Sequence, residues 1–327
     1  MFVGELLSAS NIQPEKISIA DPLILDFFAL NFIDDNAIVS TSSIDHNWID
    51  SVLDKYTLSV THLNNYLSCP LKFYFQNLVM VPSGKNETMT FGSSVHWALE
   101  KFFREVVDTQ EFPPVKNLLR DFDWYMIRNR EAFTKEQFER RLEYGHKIIP
   151  PYYERYINEW HKIVSTETAI KNVEINGIPI KGKIDKIEFD GNNVNVVDYK
   201  TGNYENAKKK FLAPNDKEPL GGDYWRQAVF YKILIDNYRI KDWRVISTEF
   251  DFVEPYKEEY VKHKIVISPE DVKTVTNQIQ EVYAKIKRHE FTTGCGKKEC
   301  EWCTFVKNNF RDAEFVFPTE EDEENED

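Results

Sequence analysis

The chain has 327 residues, 42% of them hydrophobic and 14% aromatic, which is ample for a buried core and excludes wholesale disorder. There is no apolar run of about 18 residues, and the start MFVGELLSASNIQPEKI lacks a basic segment followed by an apolar one. Neither a membrane span nor a signal peptide is therefore expected, and the protein reads as cytoplasmic. The formal charge of −13 is partly local: residues 320–327 carry seven of the 54 acidic residues and no base, against 41 basic residues in all. Net charge thus argues neither for nor against a polyanionic partner.

Residues 1–56 contain an apolar stretch (Leu23, Ile24, Leu25, Phe27, Phe28, Leu30) and a polar connector from Ser40 to Ser43, but no chemical motif. They read as an N-terminal arm or the remnant of an upstream domain. A clearer unit opens at Leu58, where Ser59 or Thr61 can cap a helix through Asn65, Tyr66 and Leu67 that is interrupted at Cys69-Pro70. A second helix is expected from Phe91-Gly92-Ser93-Ser94-Val95-His96, continued by Leu99, Phe102 and Phe103 at helical spacing. From Thr134 to about Trp160 an amphipathic pattern carries Phe138, Leu142, Ile149, Tyr153 and Tyr156, and Pro150-Pro151 should kink or split it.

The pattern then turns to strands. Two short ones are expected around Asn176-Gly177 within 173–180, and two more at Lys183 to Phe189 and Val194 to Tyr199. Asp223 can cap a helix from Tyr224 to Asn237 with Val229, Ile233 and Leu234 on its apolar side. Trp243 to Val253 and Tyr260 to Ile267 are β-rich, and Ser268 with Pro269 opens a last long helix to about Arg288. This order predicts an α/β fold, a mixed β-sheet flanked by helices, over residues 57–312, followed by an acidic disordered tail at 313–327.

The chemistry concentrates in Gly182-Lys183-Ile184-Asp185 and, thirteen residues after Asp185, Asp198-Tyr199-Lys200-Thr201-Gly202. On a hairpin these fragments bring two carboxylates and an ammonium together, with Asp198 and Lys200 on one face of their strand and Tyr199 turned to the core. Two carboxylates are hard oxygen ligands for Mg²⁺ or Mn²⁺, and a nearby lysine can orient a water and stabilise charge growing on phosphorus. Alone, an Asp near a hairpin is usually a turn residue and a Lys a solvated tip. The spacing of both on consecutive strands makes the pattern specific.

That combination resembles the RecB-like branch of the PD-(D/E)xK nuclease superfamily, whose pattern is GxxD followed by D-x-K-T-G, and the resemblance spans roughly residues 57 to 310. It implies a restriction-endonuclease-like fold and a Mg²⁺- or Mn²⁺-dependent deoxyribonuclease with Asp185, Asp198 and Lys200 as catalytic residues and exonuclease action as the expected mode. Gly92-Ser93-Ser94-Val95-His96 matches the family's G-x-x-x-H, which implies His96 as a metal ligand beside Asp185 and Asp198. Gln227 and Tyr231, four apart on one helix face, match its Q-x-x-x-Y and are implied to bind substrate or brace the lysine. Ser59, Thr61, Tyr66, Cys69-Pro70 and Lys72-Phe73-Tyr74 resemble the segment that opens such domains. An acidic residue on the preceding strand is common there, and either Glu167 or Glu174 can fill that place. Lys208, Lys209 and Lys210 read as an exposed loop or as phosphate contacts. The implied partners are DNA and a helicase domain or subunit upstream or in trans, because no G-x-x-x-x-G-K-[ST] occurs in this chain.

Cys69, Cys295, Cys300 and Cys303 can offer four thiolates, enough for a [4Fe–4S] cluster or a tetrahedral Zn²⁺. One upstream and three downstream cysteines resemble the nuclease module of AddB-type helicase–nuclease subunits, although there the short Cys-x2-Cys spacing precedes the longer gap and here it follows. Iron–sulphur ranks ahead of zinc on that resemblance, with a structural role. The rival readings are a DNA-binding module that keeps the fold without the activity, and a zinc-held scaffold subunit.

Overall fold

The computed structural model describes residues 44–82, 84–310 and 315–317. The chain divides into two units, Met1–Ile44 and Asp45–Asp327, and the architecture below is that of the second. Residues 1–43 of the expected N-terminal arm, and all of the acidic tail except 315–317, lie outside the described residues.

Helix α1 (His46–Leu53) is capped by Asp45, and α2 (Val60–Ser68) by Ser59, whose hydroxyl accepts the His62 N–H. Cys69 is fully extended at φ −166° and ends α2, and Pro70 supplies the first residue of the short α3 (Pro70–Phe73). The next helix, α4 (Glu87–Thr109), starts at the Asn86 cap, a turn earlier than the Phe91-Gly92 opening expected from sequence. The α5 helix (Val115–Arg128) was not foreseen. Running from a Thr134–Gln137 capping box, α6 (Lys135–Tyr156) passes unbroken through Pro150 and Pro151, so of the expected kink or split the split does not occur. The buried Ile148, Ile149, Tyr152 and Tyr156 on both sides of the prolines explain its continuity, since tertiary burial outweighs the lost backbone bonds.

Five strands follow: β1 (Val164–Ile175), β2 (Ile178–Asp190), β3 (Asn193–Lys200), β4 (Arg244–Phe252) and β5 (Lys262–Ile265). The two short strands expected around Asn176-Gly177 are the inner ends of β1 and β2. Both turn residues have positive φ, 53° and 79°, as a tight two-residue hairpin turn requires. Sheet order is β1-β2-β3-β4-β5, with β3 and β4 parallel and the other pairs antiparallel, so the sheet is mixed. Between β3 and β4 the chain passes through the short α7 (Tyr204–Ala207) and then α8 (Asp223–Asp236). Gly222 holds the cap position of α8 without a side-chain bond, so Asp223 is its first residue and not its cap. Helix α9 (Pro269–Lys287) opens as expected, with a Ser268–Asp271 capping box, and α10 (Glu301–Asn309) follows Cys300.

The main core lies between α4, α5 and α6 and one sheet face, where Phe91, Phe102, Phe103, Phe122 and Tyr152 pack on Val197 and Tyr199. Helix α8 is buried nearly all round, packing on β2 and β4 and against α9. Its register is fixed by Arg226, 2% exposed, which donates to Gln278, Asn64 and the Leu220 and Gly221 carbonyls. No helix among the described residues is long and apolar enough to cross a membrane.

Candidate active site

The β2–β3 ladder runs from Asp190↔Asn193 to Lys186↔Val197 and stops one position short of Asp185 and Asp198. At that point a side chain replaces the backbone acceptor: Asp185 Oδ2 takes the Tyr199 N–H at 3.0 Å. The open end of the hairpin thus presents both carboxylates next to each other, as the motif spacing predicts. Two motif glycines explain how helices come close enough to complete the site. A Cβ on Gly182 would meet Leu234 of α8 at 2.6 Å, and one on Gly92 would meet Thr201 Oγ1, just past β3, at 3.0 Å.

Around Asp198, 4% exposed, the polar groups form a network. Its Oδ1 accepts from Gln227 Nε2 at 2.8 Å and from the Tyr231 hydroxyl at 3.1 Å. Its Oδ2 lies 2.6 Å from Lys200 Nζ, which also donates to Gln227 Oε1 at 3.2 Å. Gln227 Nε2 spends its second proton on the Tyr231 oxygen at 2.7 Å. Only one orientation of the Gln227 amide satisfies all of these partners, because the flipped form would face its NH₂ to an ammonium. The Lys200 ammonium further sits 4.3 Å from the centre of the Tyr224 ring, against whose face Lys210 also lies, at 5.0 Å.

On the other side of Asp185, His96 Nδ1 of α4 stands 3.3 Å from Asp185 Oδ2. Glu167 of β1 completes this cluster: His96, Glu167 and Asp185 each offer one ligand atom, all within 4.8 Å of one another. The structure therefore groups His96 and Asp185 with Glu167, and places Asp198 beside Lys200. Of the two acidic residues left open by sequence, Glu174 is exposed and pairs with Pro179 at the hairpin's far end. Glu167 falls between Thr166 and Thr168, whose partners Lys186 and Ile184 flank Asp185. Its φ of +50° is rare for a non-glycine residue, and its carboxylate pairs with Lys183.

Burial opposes charge on these groups, and the neighbours decide the outcome. Burial would lower the His96 imidazolium, but the Asp185 carboxylate raises it above the ordinary histidine value. Burial would raise Asp185, but His96, the Tyr199 N–H and Lys200 hold it below the usual carboxylate range. Lys200, desolvated yet paired with Asp198, is held above the ordinary lysine value and is an ammonium. Asp198 is pushed up by complete burial, helped by the nearby Asp185 charge. Two hard carboxylates and an imidazole grouped beside a third, desolvated carboxylate fit a divalent cation, whose charge would favour the ionised form of each ligand.

The wider sequence fits the same chemistry. Residues 57–307 match the profile of the PD-(D/E)XK nuclease superfamily. The chain belongs to that superfamily. It is 26% identical over 187 residues, 46% of its length, to the B subunit of an ATP-dependent helicase/deoxyribonuclease from Carboxydothermus hydrogenoformans. The aligned part is 16% of that larger protein. Among solved structures, it is similar to an exonuclease-assigned protein from Eubacterium rectale (13% identity, 81% of this chain, 92% of that one, TM-score 0.48). It is also similar to LHK-Exo in complex with dAMP (14% identity, 76% of this chain, 94% of that one, TM-score 0.31). Within this PD-(D/E)XK chain, sequence reasoning missed the roles of Tyr224 and Arg226, one lying against the lysine and the other anchoring the helix that carries Gln227.

The four cysteines, more than 200 residues apart in sequence between first and last, also come together. Cys303 Sγ is 3.8 Å from Cys69 Sγ and 3.7 Å from Cys295 Sγ, and with Cys300 all four sulfurs lie within 4.8 Å of one another. None is in a disulfide. Burial pushes the Cys69 thiol up to about 11, while hydrogen bonds from Cys303 and its neighbours outweigh burial at Cys300 and lower it. The cluster ties the α2–α3 junction to α10, beside the stacked rings of Phe75 and Trp302.

Proposed function

We propose that this protein is a metal-dependent deoxyribonuclease, with residues 57–312 as its nuclease domain. The observation that carries the reading is the convergence of Asp185, Asp198 and Lys200 with His96 and Glu167 at the open end of the β2–β3 hairpin. His96, Glu167 and Asp185 would hold Mg²⁺ or Mn²⁺, with Asp198 adjacent. A cation bound there supplies Lewis-acid polarisation of the phosphodiester. The remaining work belongs to the chain's own residues. Lys200, kept protonated by Asp198, is not a base in this arrangement; its ammonium donates to the attacking water and to the phosphoryl oxygens as negative charge builds. Gln227 and Tyr231 brace Asp198 and Lys200 in that geometry. The similarity to one chain of a helicase/deoxyribonuclease supports DNA as substrate and a helicase domain or subunit as partner; exonuclease action is the mode that the motif resemblance implies.

The cysteine cluster would be a structural metal centre. Four thiolates about 2.3 Å from one tetrahedral ion stand ~3.8 Å apart. Four sulfurs within 4.8 Å of one another are compatible with one Zn²⁺ or with a [4Fe–4S] cluster, which interposes four irons between its thiolates. Metal analysis separates the two, as zinc without visible absorption or as iron with sulfide.

The test of the activity is cleavage of end-labelled DNA in Mg²⁺ or Mn²⁺, with EDTA as control, by wild type and by the Asp185→Asn and Asp198→Asn variants. Wild-type cleavage lost in EDTA and in both variants supports the reading, and the product ladder separates exonuclease from endonuclease action. Metal-independent cleavage, or activity retained in both variants, contradicts it.

A further inference from the structure

Beside the active-site cluster lies an aromatic surface that the proposed chemistry does not use. Trp97, the residue after His96 on α4, stacks on Trp124 of α5 with ring centres 5.4 Å apart and 18° between planes, and Tyr125 lies against it at 5.9 Å. Trp97 itself is half-buried. Trp124 is 45% exposed, with Ile127 (64%) and Met89 (61%) among the exposed apolar side chains of the same two helices. The rings are ringed by cations: Lys101 Nζ sits 4.1 Å from the Trp97 ring centre and the Arg128 guanidinium 5.2 Å from that of Trp124. Neither cation is in an ion pair among the described residues.

This surface is continuous with the candidate site. Trp97 and Tyr125 line one cleft of about 540 Å³ with His96, Glu167 and Asp185. A second cleft, of about 530 Å³, opens beyond Lys183 and is lined by Ser59, Thr61, Lys171, Lys181 and Gln227, an ammonium- and hydroxyl-rich surface suited to a phosphate backbone. Only unpaired bases expose the faces that aromatic rings stack on, and surface cations beside such rings meet the phosphates between those bases.

We propose that Trp97, Trp124 and Tyr125 form a stacking platform for unpaired bases, so that single-stranded DNA enters the active site along α4 and α5. The proposal rests on the nuclease reading for the identity of the polymer, but its test does not require cleavage. Binding of a fluorescein-labelled oligo(dT) and of a duplex of equal length is measured by anisotropy in EDTA, for wild type, Trp97→Ala, Trp124→Ala and Trp124→Phe, with thermal unfolding of each. The alanine variants are expected to bind oligo(dT) about 10-fold more weakly, with duplex binding unchanged and Trp124→Phe retaining most of the affinity. Trp124 is exposed, so its substitution leaves a folded protein to measure. Wild-type oligo(dT) affinity in a folded Trp124→Ala variant, or equal losses for oligo(dT) and duplex, overturns the platform; the exposed rings would then suit a protein partner. Cleavage in Mn²⁺ is scored separately. Normal cleavage with unaltered oligo(dT) binding by the variants sinks the platform and spares the nuclease reading. A selective oligo(dT) defect with no cleavage by any form does the reverse.

Discussion

Replacing Gln227 with Leu separates bracing of the lysine from substrate binding. Leucine fills a similar volume but removes the 2.8 Å donor to Asp198, the 3.2 Å acceptor for Lys200 and the donor to Tyr231. Hydrogen bonds to charged groups contribute about 1.5–3 kcal/mol each. Asp198 keeps Tyr231, and Lys200 keeps Asp198, so the pair survives with its orientation loosened. One such bond's worth of transition-state stabilisation, about 1.5–3 kcal/mol, corresponds to roughly 10- to 150-fold in rate. Single-turnover cleavage over a range of DNA concentrations should show the saturating rate falling by that factor while half-saturation stays constant. Gln227→Glu should be no better, since it restores the acceptor for Lys200 but sets a carboxylate against Asp198. A raised half-saturation with an unchanged saturating rate would refute bracing and make Gln227 a substrate contact.

Three further outcomes follow from the packing. Burial would raise the Glu188 carboxyl, but Lys186, 2.9 Å away and fully buried, and the Asn195 amide hold it at about 2. A carboxyl depressed on folding stabilises above its unfolded value of about 4.3 and loses that contribution as pH falls towards 2, so Glu188→Gln should cost about 3 kcal/mol at pH 7 and less at pH 3 in urea unfolding; a gap independent of pH would contradict this. Gly145→Ala should destabilise by about 1–3 kcal/mol despite alanine's better helix propensity, because its Cβ would stand 2.2 Å from the buried Phe122 ring, and a raised melting temperature would show the contact relaxes freely. Cys69→Ser should abolish stoichiometric metal and lower the melting temperature, since it removes one of four thiols joining the α2–α3 junction to α10; full metal occupancy in the variant would disprove four-thiolate ligation.

Much of the site was legible because its information is local. Asp198 and Lys200 share a face by strand alternation alone, and Gln227 and Tyr231 share one by helical spacing. The glycines of GxxD and G-x-x-x-H were visible as letters, but their reason, contact with Leu234 and Thr201, needs tertiary structure. Glu167 could not be chosen over Glu174 because only the β1–β2 register sets one near Asp185 and the other at the hairpin end. The N-terminus of α4 was misplaced because the Asn86 cap lies before any apolar periodicity begins, and α6 outlasted its prolines because its buried stripe continues past them. Arg226 escaped notice because its partners come from α2, α9 and the loop before α8.

The most direct measurement of the central claim is single-turnover cleavage of end-labelled DNA by Lys200→Met, with Mn²⁺ binding measured on the same preparations. In the proposed mechanism Lys200 acts on charge at the phosphate, while His96, Glu167 and Asp185, whose ligand atoms lie within 4.8 Å of one another, would hold the cation. The account predicts that Lys200→Met binds Mn²⁺ as wild type does and cleaves at least about 100-fold more slowly, the loss associated with removing one transition-state donor. Wild-type cleavage by this variant would contradict it.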